Sequence, residues 1–178
     1  MKRHAFVALV LALLVILPVR DALRADAALY TVEDLGLLGG AAPTVTGMNA
    51  SGQISGYVVG ASGLPRAVRY TADGGWQYVP GVSTFYSMAT GINDSGDVVG
   101  YHHNGTTFLA FRYSDGVGVS FVNPLPGGSM TLGLAIDATG TVVGQGNSYS
   151  GQGAFRAAPG LPAVELPGLG GPATTACG

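Results

Sequence analysis

Gly91-Ile92-Asn93-Asp94-Ser95-Gly96-Asp97-Val98-Val99-Gly100-Tyr101 has a counterpart 44 residues to either side. The earlier copy is Gly47-Met48-Asn49-Ala50-Ser51-Gly52-Gln53-Ile54-Ser55-Gly56-Tyr57. The later one is Ala135-Ile136-Asp137-Ala138-Thr139-Gly140-Thr141-Val142-Val143-Gly144. In each copy a short apolar run, a polar turn and a second apolar run follow one another. Asn49, Asn93 and Asp137 can hydrogen-bond their own backbone, and Gly52, Gly96 and Gly140 can take positive φ. A period of this length is the mark of a repeat architecture, in which each copy buries its faces against its neighbours.

The remaining strands follow the same period. Arg66–Tyr70, Leu109–Tyr113 and Gly153–Ala157 read as third strands. Trp76–Val79 and Val119–Val122 read as fourth strands. Asp73-Gly74-Gly75 and Ser114-Asp115-Gly116 between them are expected to make two-residue hairpins. Tyr30-Thr31-Val32 reads as a further strand, in a partial leading repeat over 28–46. Three repeats follow, 47–90, 91–134 and 135–178, and the chain stops where a fourth turn would begin, as in a fragment of a longer array. Four antiparallel strands in about 44 residues match one β-propeller blade. The expected fold is all-β, an incomplete or open propeller whose end blades could self-associate. Thirty glycines and ten prolines agree, since they punctuate every candidate helix.

Residues 1–27 read as an export signal: Lys2, Arg3 and His4, an apolar run from Ala5 to Leu17, then Ala25-Asp26-Ala27. The chain is therefore expected outside the cytoplasm, extracellular or periplasmic, with about 150 residues remaining for a core. Charged residues are only 10% and the net charge is −2, which excludes a phosphate-neutralising nucleic-acid surface. Cys177 is the single cysteine, so no intramolecular disulfide can form.

Together with Ala110-Phe111-Arg112-Tyr113 and Asp34-Leu35-Gly36-Leu37-Leu38-Gly39-Gly40, the middle turn resembles the HAF family of extracellular repeat proteins. The resemblance spans residues 30–178. It implies secretion and a repeat, propeller-like fold, and no established catalytic residues. The family's histidine before Ala-Phe is replaced here by Arg66, Leu109 and Gly153.

Chemistry-bearing patterns are sparse. Asn93, Ser95 and Asp97 alternate like calcium ligands, but their counterparts lose the acidic set and the closing glutamate is missing. His102 and His103 point to opposite faces of a strand with no third ligand at useful spacing. No nucleophile motif is found, and no cofactor or metal is expected. Arg69, Arg112 and Arg156 recur in register and, with Trp76, could form a surface for an acidic glycan or a protein. Asn49-Ala50-Ser51, Asn93-Asp94-Ser95 and Asn104-Gly105-Thr106 match the glycosylation sequon, two of them as by-products of the turn. The expected role is a non-catalytic binding or adhesion module. A glycan-active enzyme with its site elsewhere, or an envelope spacer, remain the alternatives.

Overall fold

The computed structural model describes residues 31–168, and these contain no helix. Twelve strands form three four-stranded antiparallel sheets, each in sequential order and none closed on itself. The first sheet holds β1 (Thr44–Met48), β2 (Ile54–Val59), β3 (Pro65–Thr71) and β4 (Gly75–Tyr78). The middle sheet holds β5 (Ser87–Ile92), β6 (Val98–His103), β7 (Phe108–Ser114) and β8 (Gly118–Val122). The third holds β9 (Thr131–Ile136), β10 (Val142–Ser148), β11 (Gly151–Ala157) and β12 (Val164–Glu165). All three belong to one compact unit that begins at Leu35.

The period is that of the sequence, but its phase differs. Counting from the turn cuts β5 and β9 in two, because each sheet begins a few residues ahead of its turn. The two Asp-Gly hairpins are three-residue loops, since Thr71 pairs with Gly75 and Ser114 with Gly118. In the first loop the positive φ falls on Gly75, a step later than an Asp-Gly turn would place it, whereas in the second both Gly116 and Gly118 take positive φ. Thr31 and Val32 lie outside any strand, and Val32 is almost fully exposed. An extended segment with no neighbouring edge has nothing to pair with. The signal segment, Tyr30, the end of the third repeat past residue 168 and Cys177 lie outside the described residues.

Burial explains the adjacent valines. In a one-sided sheet apolar residues alternate, yet Val98 and Val99 are both fully buried, as are Ala110 and Phe111. The middle sheet is covered on both faces. Val98 and Phe111 pack with Ala67, Val79 and Ala89 from the first-sheet side. Val99 and Ala110 pack with Leu125, Val142 and Phe155 on the third-sheet side. Burying a side chain such as Phe155 contributes roughly 1.5–3 kcal/mol, so these two layers carry most of the cohesion.

In each sheet the first strand bulges against the second, between Val45 and Gly47 and between Ala89 and Gly91, and opposite Val143 and Gly144 in the third. The bulge presses a carbonyl of the first strand onto a glycine of the second. A Cβ on Gly56, Gly100 or Gly144 would collide with the backbone oxygen of Thr44, Met88 or Leu132. This is why that glycine recurs in all three copies.

Candidate functional site

The two ends of the sheets do different jobs. At one end stand the Asn/Asp turns. Asn93 Oδ1 accepts from the N–H groups of Ser95 and Asp97 at 3.1 and 2.9 Å. Asn49 does the same for Ser51 and Gln53, and Asp137 for Thr139 and Thr141. These oxygens hold the turn rather than face outward as ligands. The Thr139 hydroxyl and the Thr141 and Thr139 N–H groups keep the Asp137 carboxyl below its ordinary range.

The amide nitrogen of each turn asparagine reaches the next sheet. Asn49 Nδ2 donates to the Asn93 carbonyl at 2.9 Å, and Asn93 Nδ2 to the Asp137 carbonyl at 2.8 Å. A second series lies on the first strands, where Thr46 Oγ1 donates to Ala89 O and Thr90 Oγ1 to Gly133 O, both at 2.9 Å. In a third, the N–H groups of Ala67 and Ala110 donate to the hydroxyls of Ser87 and Thr131. Ala50 N also donates to Asp94 Oδ1 at 2.9 Å. Successive sheets are thus joined by repeated polar contacts as well as by apolar packing.

The arginines belong to this end. Arg69 makes a bidentate pair with Asp115 of the middle sheet at 2.8 and 2.9 Å, and touches the Gly96 carbonyl. Arg112 donates to Asp97 at 2.7 and 3.2 Å and lies against Gly140 of the third turn. Ser114 completes the Asp97 set through its hydroxyl. The expected arginine surface is accordingly not a free one, because two of its three guanidiniums are committed within the fold. Arg156 is exposed and has no acidic partner among the described residues. Trp76 packs on Tyr70 at 5.3 Å, with its indole N–H buried and without an acceptor among the described residues.

Burial would raise the Asp97 carboxyl, but the Ser114 hydroxyl and the Arg112 guanidinium, with Asn93 beside them, hold it below the usual carboxylate range. Its stabilisation is therefore complete above the unfolded carboxylate value, about 3.9, and is lost as the pH falls through the lower folded value. Replacing Arg112 by methionine leaves Asp97 buried without its counter-charge. That should cost about 3 kcal/mol near neutrality. Urea titrations at pH 7 and pH 3 check this: the gap between wild type and Arg112→Met should be wide at pH 7 and narrow at pH 3.

The opposite end carries side chains that, Tyr101 apart (Tyr57 in the first sheet), do not recur. Tyr86, Tyr101 and Phe108 form an aromatic cluster, with ring centroids 5.2–6.4 Å apart. The hydroxyls of Tyr86 and Tyr101 both point at the Met88 sulfur. His103 sits edge-on to Phe108 at 5.1 Å, and Phe85 lies 6.3 Å from His103. On the other face of β6, as strand alternation requires, His102 stacks on Phe121 at 4.4 Å. Its Nδ1 accepts from Ser83 N at 3.2 Å, so the neutral ring carries its proton on Nε2. Burial lowers the pKa of His102, with a smaller push from His103.

Beside this cluster lies an open groove of about 630 Å³. Its walls are the β4–β5 connection (Ser83, Thr84, Phe85), the start of the β6–β7 loop (His103, Asn104) and the edge-strand residue Phe121. His102 also lines it. Of these, only the histidine pair and, as part of a sequon, Asn104 stood out in the sequence. The signal was present in the mismatches between copies. His102 stands where the neighbours have Val58 and Gly146, and His103 where they have Val59 and Asn147.

The groups that could hold a metal are dispersed, and no cluster of three or more His, Cys, Asp or Glu occurs among the described residues. No family model matches this chain, and no curated protein matches its sequence.

Proposed function

We propose that the chain is an exported, non-catalytic binding module of the HAF repeat type, its sheets set as propeller-like blades. The first strands β1, β5 and β9 meet one another in turn, the arrangement of strands that line a propeller axis. The observation that carries the binding role is the division of labour between the ends. The turn end repeats, and its polar groups are spent on holding sheets together. The loop end of the middle sheet diverges from its neighbours, and there Phe85 stands 63% exposed beside the groove. Divergent loop-end side chains on a repeated scaffold are where recognition is placed.

Five of the described carboxylates are engaged within the fold, which supports a non-catalytic reading. Asp97 and Asp115 are paired with arginines, Asp94 and Asp137 hold turns, and Glu165 accepts from Ser148 and Ser150. The test is retention of the full chain on insoluble extracellular material, comparing wild type with Phe85→Ala and with Arg156→Ala. Phe85→Ala should lower retention at least fivefold and Arg156→Ala should leave it unchanged. Equal retention of wild type and Phe85→Ala would count against the groove as the binding surface.

A further inference from the structure

The groove's lining specifies what it can take. Its ten lining residues are Gly81 to Phe85, His102 to Gly105 and Phe121, and none is Asp, Glu, Lys or Arg. An ionic ligand would find no counter-charge there, and burying an unpaired charge is costly. His102 cannot readily supply one. Protonation would put a hydrogen on Nδ1 facing the Ser83 N–H, two donors opposed.

What the groove offers is flat apolar area and neutral hydrogen-bonding groups. Phe85 is 63% exposed and Phe121 41%. Ser83, Thr84, His103 and Asn104 lie between and around them. His102 is 94% buried, with 6% exposure, yet its Nε2–H has no acceptor among the described residues. That donor is sealed from solvent and so is not part of the groove's accessible surface. A peptide bound by strand addition would need a free strand edge, whereas this groove is walled by side chains of loops and strand ends.

Resting on the binding reading above, we infer that the groove takes an uncharged saccharide. A sugar's C–H face lies on Phe85 or Phe121, and its hydroxyls, each both donor and acceptor, meet Asn104 and Thr84. Aromatic rings combined with a few fixed polar groups are the usual make-up of a small-ligand site.

The experiment is calorimetry of the full chain with neutral hexasaccharides of glucose and mannose, α- and β-linked, and with an oligogalacturonate as the acidic counterpart. At least one neutral oligosaccharide should bind, and oligogalacturonate should not. Phe85→Ala and Thr84→Ala, both at exposed positions, should each weaken binding at least fivefold, with thermal unfolding unchanged. Preference for the acidic oligomer, no neutral binding, or neutral binding indifferent to Phe85→Ala would each overturn the inference. If retention on extracellular material depends on Phe85 while no neutral sugar binds, the sugar assignment fails and the binding role stands.

Discussion

Replacing Gly100 by alanine should destabilise the protein by about 3 kcal/mol, the upper part of the range for forcing an extra group into a packed interior. The added methyl has no soft neighbour to displace. It would meet the Met88 carbonyl oxygen and, at 2.8 Å, the Ala89 Cα, both backbone atoms of the bulged strand β5. Relief requires either removing the bulge, which moves Ser87 and Met88 out of register with His102 and Tyr101, or spreading β5 from β6. Both damage the two apolar layers, because Val98 and Val99 lie on the same strand as Gly100. Urea unfolding followed by far-ultraviolet circular dichroism checks the effect. A midpoint shift worth less than about 1 kcal/mol would mean that the bulge can be relaxed cheaply. Gly52→Ala is the useful contrast. It has open space around its Cβ position and suffers only from its positive φ, so its loss should be the smaller.

Asn93→Ala is the second large effect, again about 3 kcal/mol. Asn93 is 6% exposed, and its side chain serves the N–H groups of Ser95 and Asp97, the Asp97 carboxylate and the Asp137 carbonyl of the next sheet. Truncation leaves two turn N–H groups and one inter-sheet carbonyl short of a partner. Asn93→Asp separates these roles. It keeps the oxygen that organises the turn, as Asp137 does natively, but loses the donor and sets a second carboxylate beside Asp97. Its deficit should therefore shrink in acid, whereas that of Asn93→Ala should stay. Thermal unfolding of both variants at pH 7 and pH 4 distinguishes them, and parallel pH profiles would count against the donor role of Asn93.

The sequence made the sheets legible because their signals repeat. Third strands around Arg69, Arg112 and Arg156 and turns at Gly52, Gly96 and Gly140 stand in three copies, and each copy confirms the others. Where a reading rested on one local pattern it drifted. The dipeptide Asp73-Gly74 suggested a tight hairpin, but the positive φ is taken by Gly75, one residue on. Arg69 and Arg112 looked like surface cations because alternation gives a face, not what covers it. Their partners Asp115 and Asp97 come from other loops, one of them on the next sheet. The groove stayed hidden for the opposite reason. A search for what recurs passes over Phe85 and His102, whose meaning lies in having no equivalents; Phe121 shares its place with Tyr78 of the first sheet.

The contacts between sheets also have a direction. Asn49 and Thr46 give to the middle sheet, Asn93 and Thr90 give to the third, and the Ala67, Ala110 and Arg69 donors run the same way. Thr131 Oγ1, which donates back to Val122 O at 2.8 Å, is the exception; otherwise each sheet has a mainly giving and a mainly receiving face, and stacking is heterologous. Head-to-tail addition, the kind that grows filaments, needs a giving face at the far side of the third sheet. There the positions of Thr90 and Asn93 are occupied by Leu134 and Asp137, a hydrocarbon and a carboxylate, neither able to donate when Asp137 is ionised. The asparagine and threonine donors that lock the sheets within one chain are thus missing from the third sheet, and of the giving side chains only Arg156, the counterpart of Arg69, remains there to donate.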